Sequence, residues 1–398
     1  MILRIRKRYN EEFTEEKYKN YINDLENLYP GNLDFRVAET PIFVPRQFTA
    51  RMLETCESII DVLISSEYKN ASSRAIPNNL FVPNEDKHPH FIAFDFGICR
   101  NDKGELEPQL IELQGFPSLF AWQVVQPATH KKNFWWPGNF DCYLNDLNAS
   151  SYTEIFREIV VGDCNPENVV LLEIFPEQQK TRVDFLATES LLSIKTVNLA
   201  DIIQEGRKLY YLNNGKKTLI SRIYNRVIFD ELLQQSPELQ QKGRIFQQEL
   251  DVKWVTHPNW FYRISKFSLP FIYHPNVPET YFLNEVQQLP ADLSNYVVKP
   301  LFSFAGQGVI IDVTTKDLET IDDPENWIIQ KKVRYAAAIE TPDEPAKGEI
   351  RLFYFWPENK LRPIAVNNLS RISKGKMVGV RYNKNKTWVG GTFSLFEK

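Results

Sequence analysis

The segment at residues 296–311 constrains this chain most, because it places two glycines between apolar stretches that favour β-strands. Gly306 and Gly308 flank Gln307, although glycine is scarce elsewhere, with 16 in 398 residues. Glycines at this spacing let a backbone approach a ligand closely and turn its amide hydrogens toward it. Lys299 precedes Gly306 by seven residues. The pattern predicts a loop between antiparallel strands that covers a phosphate group, although an ordinary hairpin with a glycine loop has the same pattern.

Two common phosphate-binding motifs are excluded by the residues around these glycines. A Walker A loop needs its own glycine and lysine spacing and a helix after it, whereas β-branched residues that favour a strand follow here. The dinucleotide-binding fingerprint also opens a helix, so the same residues exclude it. The remaining prediction is a phosphate-covering flap between strands.

Length and charge narrow the class of protein. A chain of 398 residues is long enough for about two or three domains. The net charge of −4 argues against an extended nucleic-acid interface. The first residues turn polar too early for a signal peptide, and no apolar run reaches the ~20 residues of a membrane helix. The four cysteines are widely separated, as in a reduced protein. We therefore expect a cytoplasmic protein without nucleic-acid or membrane partners.

The pattern of apolar residues divides the chain into three regions. Residues 1–160 contain a helical pattern at 47–66 and two strand patterns, at 91–96 and 109–114, joined by a hairpin turn. The aromatic, proline-rich stretch at residues 116–136 predicts irregular surface structure or a lid.

The second and third regions differ in how strands alternate with helices. Residues 161–258 alternate the two, which predicts a small α/β domain with a mostly parallel sheet. Residues 259–398 are rich in strand patterns. The predicted strands are 168–174, 195–199, 218–226, 296–298, 309–313, 327–330, 349–355 and 362–366, and the predicted helical stretches of the second region are 181–192 and 229–246.

Three oxygen donors lie on the predicted hairpin of the first region. Asp95 and Glu112 are on neighbouring strands, and Glu112 shares a strand face with Gln114 because side chains alternate with a period of two. Magnesium prefers hard oxygen ligands, and an acid among apolar neighbours needs a cation or a hydrogen-bond donor. The pattern predicts a magnesium site. The alternative is that Asp95 and Glu112 point to solvent from an exposed sheet face.

Cations in the second half of the chain suit an anionic ligand. Lys266 stands at a predicted helix start, before the strand that carries Lys299. Arginine side chains match carboxylates and phosphates in bidentate geometry. Each cation taken alone is also typical of a solvated lysine or a surface ion pair. The candidate arginines are Arg222, Arg226, Arg351, Arg371 and Arg381.

The order of these motifs resembles that of the ATP-grasp superfamily over residues 90–398. In that family two lysines meet the ATP phosphates and a glycine loop closes over them, and Lys266, Lys299 and the loop are similar to these parts. Residues 327–333 resemble the hinge strand that holds adenine through its backbone. This resemblance implies nucleotide contacts from Gln330, Lys331 and Val333, and Glu349-Ile-Arg351 resembles the acid-x-Arg strand that follows.

The acidic hairpin is similar to that of the circularly permuted branch, which includes glutathionylspermidine synthetase. Asp95, Glu112 and Gln114 occupy positions of a pattern that looks like its Arg-x-Asp and Glu-x-Asn motifs, and residues 221–226 also look like that branch. Ala93 stands where the branch has an arginine, and Gln114 stands where it has an asparagine. Glutamine keeps an amide oxygen but reaches one methylene farther. The missing arginine removes a transition-state cation, which Arg351, Arg371 or Arg381 would have to supply.

The resemblance implies an α+β fold, a circularly permuted ATP-grasp with a small Rossmann-like α/β domain before the ATP-binding lobe. Residues 1–160 would contribute the metal-binding hairpin, residues 161–258 would form the α/β domain, and residues 259–398 would bind the nucleotide.

The implied function is an ATP- and Mg²⁺-dependent ligase that joins a small-molecule carboxylate to an amine through an acylphosphate. Arg351 and Arg371 would face the acylphosphate. The substrates would be of the amino acid, peptide or polyamine class. One alternative is a catalytically silent ATP-binding protein of the same fold, for which Ala93 is the reason. Another is a kinase-like phosphotransferase, although the chain contains neither His-Arg-Asp nor Asp-Phe-Gly.

Overall fold

The computed structural model describes residues 1–302, 308–375, 378 and 383–398. The helices are α1 Leu3–Glu12, α2 Glu15–Leu28, α3 Arg46–Leu63, α4 Ser66–Ala71, α5 Trp122–Asn133, α6 Ala149–Val160, α7 Arg182–Leu192, α8 Phe229–Leu232, α9 Pro237–Gly243, α10 Asn259–Arg263 and α11 Thr315–Glu319. The strands are β1 Ile42–Val44, β2 Phe91–Arg100, β3 Leu106–Gln114, β4 Phe140–Asp141, β5 Val169–Glu173, β6 Lys195–Asn198, β7 Ile203–Glu205, β8 Lys208–Asn213, β9 Lys216–Ile220, β10 Arg222–Asn225, β11 Lys253–Val255, β12 Thr280–Phe282, β13 Tyr296–Pro300, β14 Trp327–Lys331, β15 Lys347–Phe355, β16 Ile364–Ser373, β17 Gly390–Thr392 and β18 Ser394–Glu397. The fold is therefore mixed α and β, as predicted.

A five-stranded antiparallel sheet joins the two ends of the chain, in the order β17-β16-β15-β2-β3. The predicted hairpin of β2 and β3 is confirmed, with Gly104 in its turn at φ +81°. β2 is apolar on both faces and almost wholly buried, because Phe94 and Phe96 enter one core cluster while Phe91 and Ala93 enter another. The sheet thus combines strands from the first and the third predicted regions.

The predicted parallel sheet of the middle region is also confirmed, in the strand order β11-β10-β5-β6. Residues 218–226 differ from the prediction, since they form two strands, β9 and β10, rather than one. β9 belongs to a separate antiparallel sheet, β7-β8-β9. Asn214 and Gly215 join β8 to β9 and both have positive φ, as two-residue hairpin turns require. Residues 229–246 are helical in two short pieces rather than one.

A three-stranded antiparallel sheet, β12-β14-β13, carries Lys299. The strand predicted at residues 309–313 is reduced to a single antiparallel bridge between Ile310 and Val298. The chain then turns into α11, whose cap is Thr314. The strand predicted at residues 362–366 is instead the longer β16, which begins at Ile364.

The prediction of irregular structure or a lid at residues 116–136 is wrong, because this stretch contains α5. The helix is held by a tertiary contact, in which the Asp184 carboxylate accepts hydrogen bonds from the backbone amides of Trp122 at 2.8 Å and Leu119 at 3.2 Å. Trp122 itself is buried. Pro127 inside the helix and the lack of a clear apolar stripe conceal it in the sequence. Among the described helices, none is long and apolar enough to cross a membrane.

Candidate functional site

One face of the five-stranded sheet changes from apolar to charged along its strands. Asp95 on β2 pairs in register with Glu112 on β3 and with Arg351 on β15, so these side chains form a row across the face. One step back along the same face lie Ala93 and Phe353, which are fully buried. The predicted acids therefore lie at the boundary between an apolar core and a polar site.

Asp95 is 1% exposed and is held by two arginines. Its Oδ1 accepts a hydrogen bond from Arg351 Nε at 2.6 Å, and its Oδ2 accepts from Arg351 Nη2 at 2.7 Å and Arg371 Nη2 at 3.0 Å. Burial alone would raise the pKa of Asp95, but the two guanidinium groups outweigh it and lower that pKa. The two arginines thus hold the carboxylate in its ionised form.

Arg371 bridges Asp95 to a second buried acid. Glu349 lies opposite Arg371 in the sheet register, and its Oε2 is 2.9 Å from Arg371 Nη2. The Tyr335 hydroxyl donates a hydrogen bond to Oε1 of Glu349. Burial raises the pKa of Glu349, and Arg371 opposes that rise. Glu349 and Tyr335 were not among the predicted site residues. The period of two that Glu349 shares with Arg351 was the available signal for Glu349.

The two predicted lysines converge on the acidic hairpin. Lys266 begins the 3₁₀ helix Lys266–Phe271, and its Nζ is 3.7 Å from Glu112 Oε1. Lys299 Nζ donates a hydrogen bond to Gln330 Oε1 at 2.6 Å and approaches the Ile111 carbonyl oxygen at 3.4 Å. Glu112 and Lys299 thus reach the same cluster, although they lie on different sheets.

Burial lowers the pKa of both lysines. Burial and the positive charge of Lys266 lower the pKa of Lys299 to about 8. Burial also lowers the pKa of Lys266, and the Glu112 carboxylate opposes this effect. Strongly perturbed pKa values of this kind cluster at functional sites. We call Asp95, Glu112, Glu349, Lys266, Lys299, Arg351 and Arg371 the charged cluster.

Gly115 fixes the approach of Lys266 to Glu112, and sequence reasoning missed it. Its backbone amide donates a hydrogen bond to the Ile264 carbonyl at 2.7 Å. A Cβ at this position would lie 2.5 Å from the Trp260 carbonyl oxygen, so only glycine fits without a shift. The close contact joins the end of β3 to the segment that leads into Lys266.

Of the other residues predicted to contact the nucleotide, only some lie at the charged cluster. Gln330 is buried between Lys299 and Thr280, whose hydroxyl accepts a hydrogen bond from Gln330 Nε2 at 2.9 Å. Lys331 is exposed, and its backbone N–H donates a hydrogen bond to the Glu279 carbonyl oxygen. Val333 is half-buried. Gly308 has φ +74°, which favours glycine. Gly306, Gln307 and Arg381 lie outside the described residues.

Two of the candidate arginines have other partners. Arg222 donates hydrogen bonds to the carbonyls of Ile159 and Val160, and Arg226 donates to the carbonyl of Pro117. Of the described candidate arginines, Arg351 and Arg371 are the ones that contact the acids of the charged cluster.

The predicted magnesium ligands are a poor match for a cation in this arrangement. Gln114 pairs in register with Ala93, one step from the Asp95 row, and is half-buried. Two guanidinium groups already contact Asp95, so a magnesium ion bound there would be repelled by their positive charges. Two like unit charges about 4 Å apart near a protein surface repel by ~4 kcal/mol. Across the described ranges, no three His, Cys, Asp or Glu side chains are grouped so as to hold a metal ion. The magnesium site stays a prediction, and the surrounding chemistry argues against it.

Comparison with known proteins bears on the fold. No protein-family profile and no curated protein sequence matches this chain at a significant level. A solved structure similar to this fold is that of a glutathione synthetase-like effector from Globodera pallida in its apo form. The TM-score is 0.57 at 10% sequence identity, and the match covers 97% of this chain and 98% of the other. The chain therefore shares the overall fold of a glutathione synthetase-like protein.

Proposed function

We propose that this protein binds ATP at the charged cluster and acts as a carboxylate–amine ligase. The observation that carries the proposal is the convergence of Lys266 and Lys299 on the acidic hairpin, with Lys266 Nζ 3.7 Å from Glu112 and Lys299 Nζ 3.4 Å from the Ile111 carbonyl. A ligase of this kind needs charge neutralisation and positioning from its protein rather than covalent chemistry. The glutathione synthetase-like fold supports the same class of reaction.

In this proposal the lysines and the glycine loop bind the phosphates. Lys266 and Lys299 neutralise phosphate oxygens, and Gly306, Gln307 and Gly308 contribute backbone amides. The adenine base of ATP binds beside Gln330, Lys331 and Val333. Because Lys299 is held by Gln330, its position is set before the nucleotide arrives.

Arg351 and Arg371 provide the charge at the reacting end. An oxygen of the substrate carboxylate attacks the γ-phosphorus, and ADP leaves. The amine then attacks the carbonyl carbon of the acylphosphate, the C–O bond to phosphate breaks, and the nitrogen gives a proton to the departing phosphate to leave an amide. Magnesium would belong to Asp95, Glu112 and Gln114, but we assign no step to it because two arginines already engage Asp95. The substrates are small-molecule carboxylates and amines of the amino acid, peptide or polyamine class.

The experiment is an assay of ADP release with pools of amino acids, small peptides and polyamines, followed by mass spectrometry of the products. We expect ADP release that requires both a carboxylate and an amine, and an amide product. A stable phosphoester in place of an amide would assign the protein to the phosphotransferases instead.

A second candidate function is that of a protein of this fold that binds ATP but does not convert it to ADP. Asp95 favours it, because both of its oxygens accept from arginines, and so does the fully buried Ala93. Measurable ATP binding without ADP release from any pool would support this candidate and refute the ligase.

A further inference from the structure

We infer that Arg351 and Arg371 replace the divalent cation expected beside Asp95, so that the site binds a nucleoside triphosphate without magnesium. This inference rests on the nucleotide binding proposed above and goes beyond it, since it states which ionic form of the ligand is recognised. It is carried by the contacts of Asp95, by the sheet register and by the charge of the cluster.

The hydrogen bonds to Asp95 use three of the roughly four acceptor positions of its carboxylate. Three charge-assisted hydrogen bonds, at 2.6, 2.7 and 3.0 Å, reach its two oxygens from Arg351 and Arg371. Such bonds are stronger than neutral ones, and the pair with Arg351 is bidentate. A magnesium ion would have to displace a guanidinium group from a side chain that is 1% exposed.

The backbone fixes this arrangement. Arg351 and Asp95 are direct partners in the antiparallel register of β15 and β2, and Arg371 is the direct partner of Glu349 on β16 and β15. Opposed residues of an antiparallel pair have Cβ atoms about 5 Å apart, so the charged ends of their side chains can meet. The register therefore positions both arginines beside the buried acids, with the Arg351 side chain 11% and the Arg371 side chain 36% exposed.

The charged cluster contains four cations and three carboxylates. Each carboxylate has its own cation, since Glu112 lies 3.7 Å from Lys266 and Glu349 lies 2.9 Å from Arg371. The surplus positive charge suits an anion. Within the described part of the chain, Arg351 uses Nε and Nη2 for Asp95, and no acceptor meets its Nη1. Arginine presents its donors in a planar fork that matches phosphate oxygens.

The test is calorimetric titration of ATP into the whole protein, once with EDTA and once with excess magnesium chloride. We expect dissociation constants that agree within about threefold. Binding that tightens about tenfold or more with magnesium would overturn the inference and leave the proposed function standing. Failure to bind in either buffer would instead refute the proposed nucleotide site.

Variants provide an independent arm. Arg351→Ala removes the group that engages Asp95, so we expect binding in EDTA to weaken by about ten- to a hundredfold and magnesium to restore part of the loss. Because this variant leaves Asp95 buried without its main partner, the double variant Asp95→Asn/Arg351→Gln removes both charges and keeps the test informative if the single variant unfolds. Arg334→Ala is the matched control, since Arg334 is 76% exposed and pairs with the exposed Asp102. Unchanged binding in EDTA for both Arg351 variants would contradict the inference.

Discussion

Arg351 and Asp95 lie directly opposite each other on neighbouring strands and are joined by two hydrogen bonds of 2.6 and 2.7 Å. They are 256 residues apart in the sequence. The Asp95 side chain is 1% exposed and that of Arg351 is 11% exposed, so the pair is screened little by solvent. The contact joins the N-terminal hairpin to the C-terminal strands and sets the charge of the candidate site.

Replacement of this aspartate will destabilise the fold. In Asp95→Asn the Arg351 guanidinium loses its anionic partner while Arg371 keeps Glu349, and breaking a buried pair in this way costs about 3–5 kcal/mol of the free energy of unfolding. Urea unfolding followed by circular dichroism measures the loss. Asp102→Asn removes the same charge from a pair that is exposed on both sides and should change stability by less than about 1 kcal/mol. Equal losses in the two variants would mean that the Asp95 pair contributes no more than a surface contact.

Removal of the Lys299 ammonium group will weaken ATP binding. A charge-assisted hydrogen bond contributes about 1.5–3 kcal/mol, so Lys299→Ala should raise the dissociation constant by roughly ten- to a hundredfold. Calorimetry on the folded variant measures the change. Lys316→Ala, at an exposed position of α11, is the control and should bind as the parent protein does. An unchanged affinity in Lys299→Ala would remove this lysine from the site.

ATP affinity will fall as the pH rises through the pKa of Lys299, which burial and the charge of Lys266 lower to about 8. Below that pH the free protein carries the ammonium group that binds phosphate. Above it the lysine is neutral and must take up a proton on binding, so the dissociation constant should rise by up to about tenfold per pH unit.

Calorimetric titrations of ATP at a series of pH values between about 7 and 10 measure how the dissociation constant changes with pH. Lys299→Arg keeps its charge over the whole series, because arginine does not lose its proton in proteins, and should flatten the profile. A parent profile as flat as that of the arginine variant would show that Lys299 does not bind the ligand as a cation.

A methyl group at Gly115 will disturb the site through packing. Its Cβ would lie 2.5 Å from the Trp260 carbonyl oxygen, so Gly115→Ala must shift the segment that leads into Lys266. We expect a loss of about 1–3 kcal/mol in the free energy of unfolding and weaker ATP binding in the fraction that remains folded. Thermal unfolding and calorimetry measure the two effects. Gly138→Ala is the control, because nothing lies within 4 Å of its added Cβ, and an equally mild effect at both glycines would contradict the packing argument.

The sequence by itself determined those strands and helices whose apolar residues follow a clear periodic pattern. The continuous apolar strand of β5 and the hairpin of β2 and β3 were predicted because burial imposes a pattern on adjacent residues. The acids and cations of the cluster were also identified as residue types that suit an anionic ligand. Helix α5 was missed, because the Asp184 carboxylate that accepts from its first amides comes from another helix.

Only the tertiary structure decided which charges meet. The sequence predicted that Asp95 needs a cation but could not distinguish a bound metal ion from an arginine. That choice depends on the register between β2 and β15, which aligns Asp95 with Arg351. Register is set by the packing of both sheet faces over the whole length of the strands, whereas periodicity and propensity act over only a few neighbouring residues.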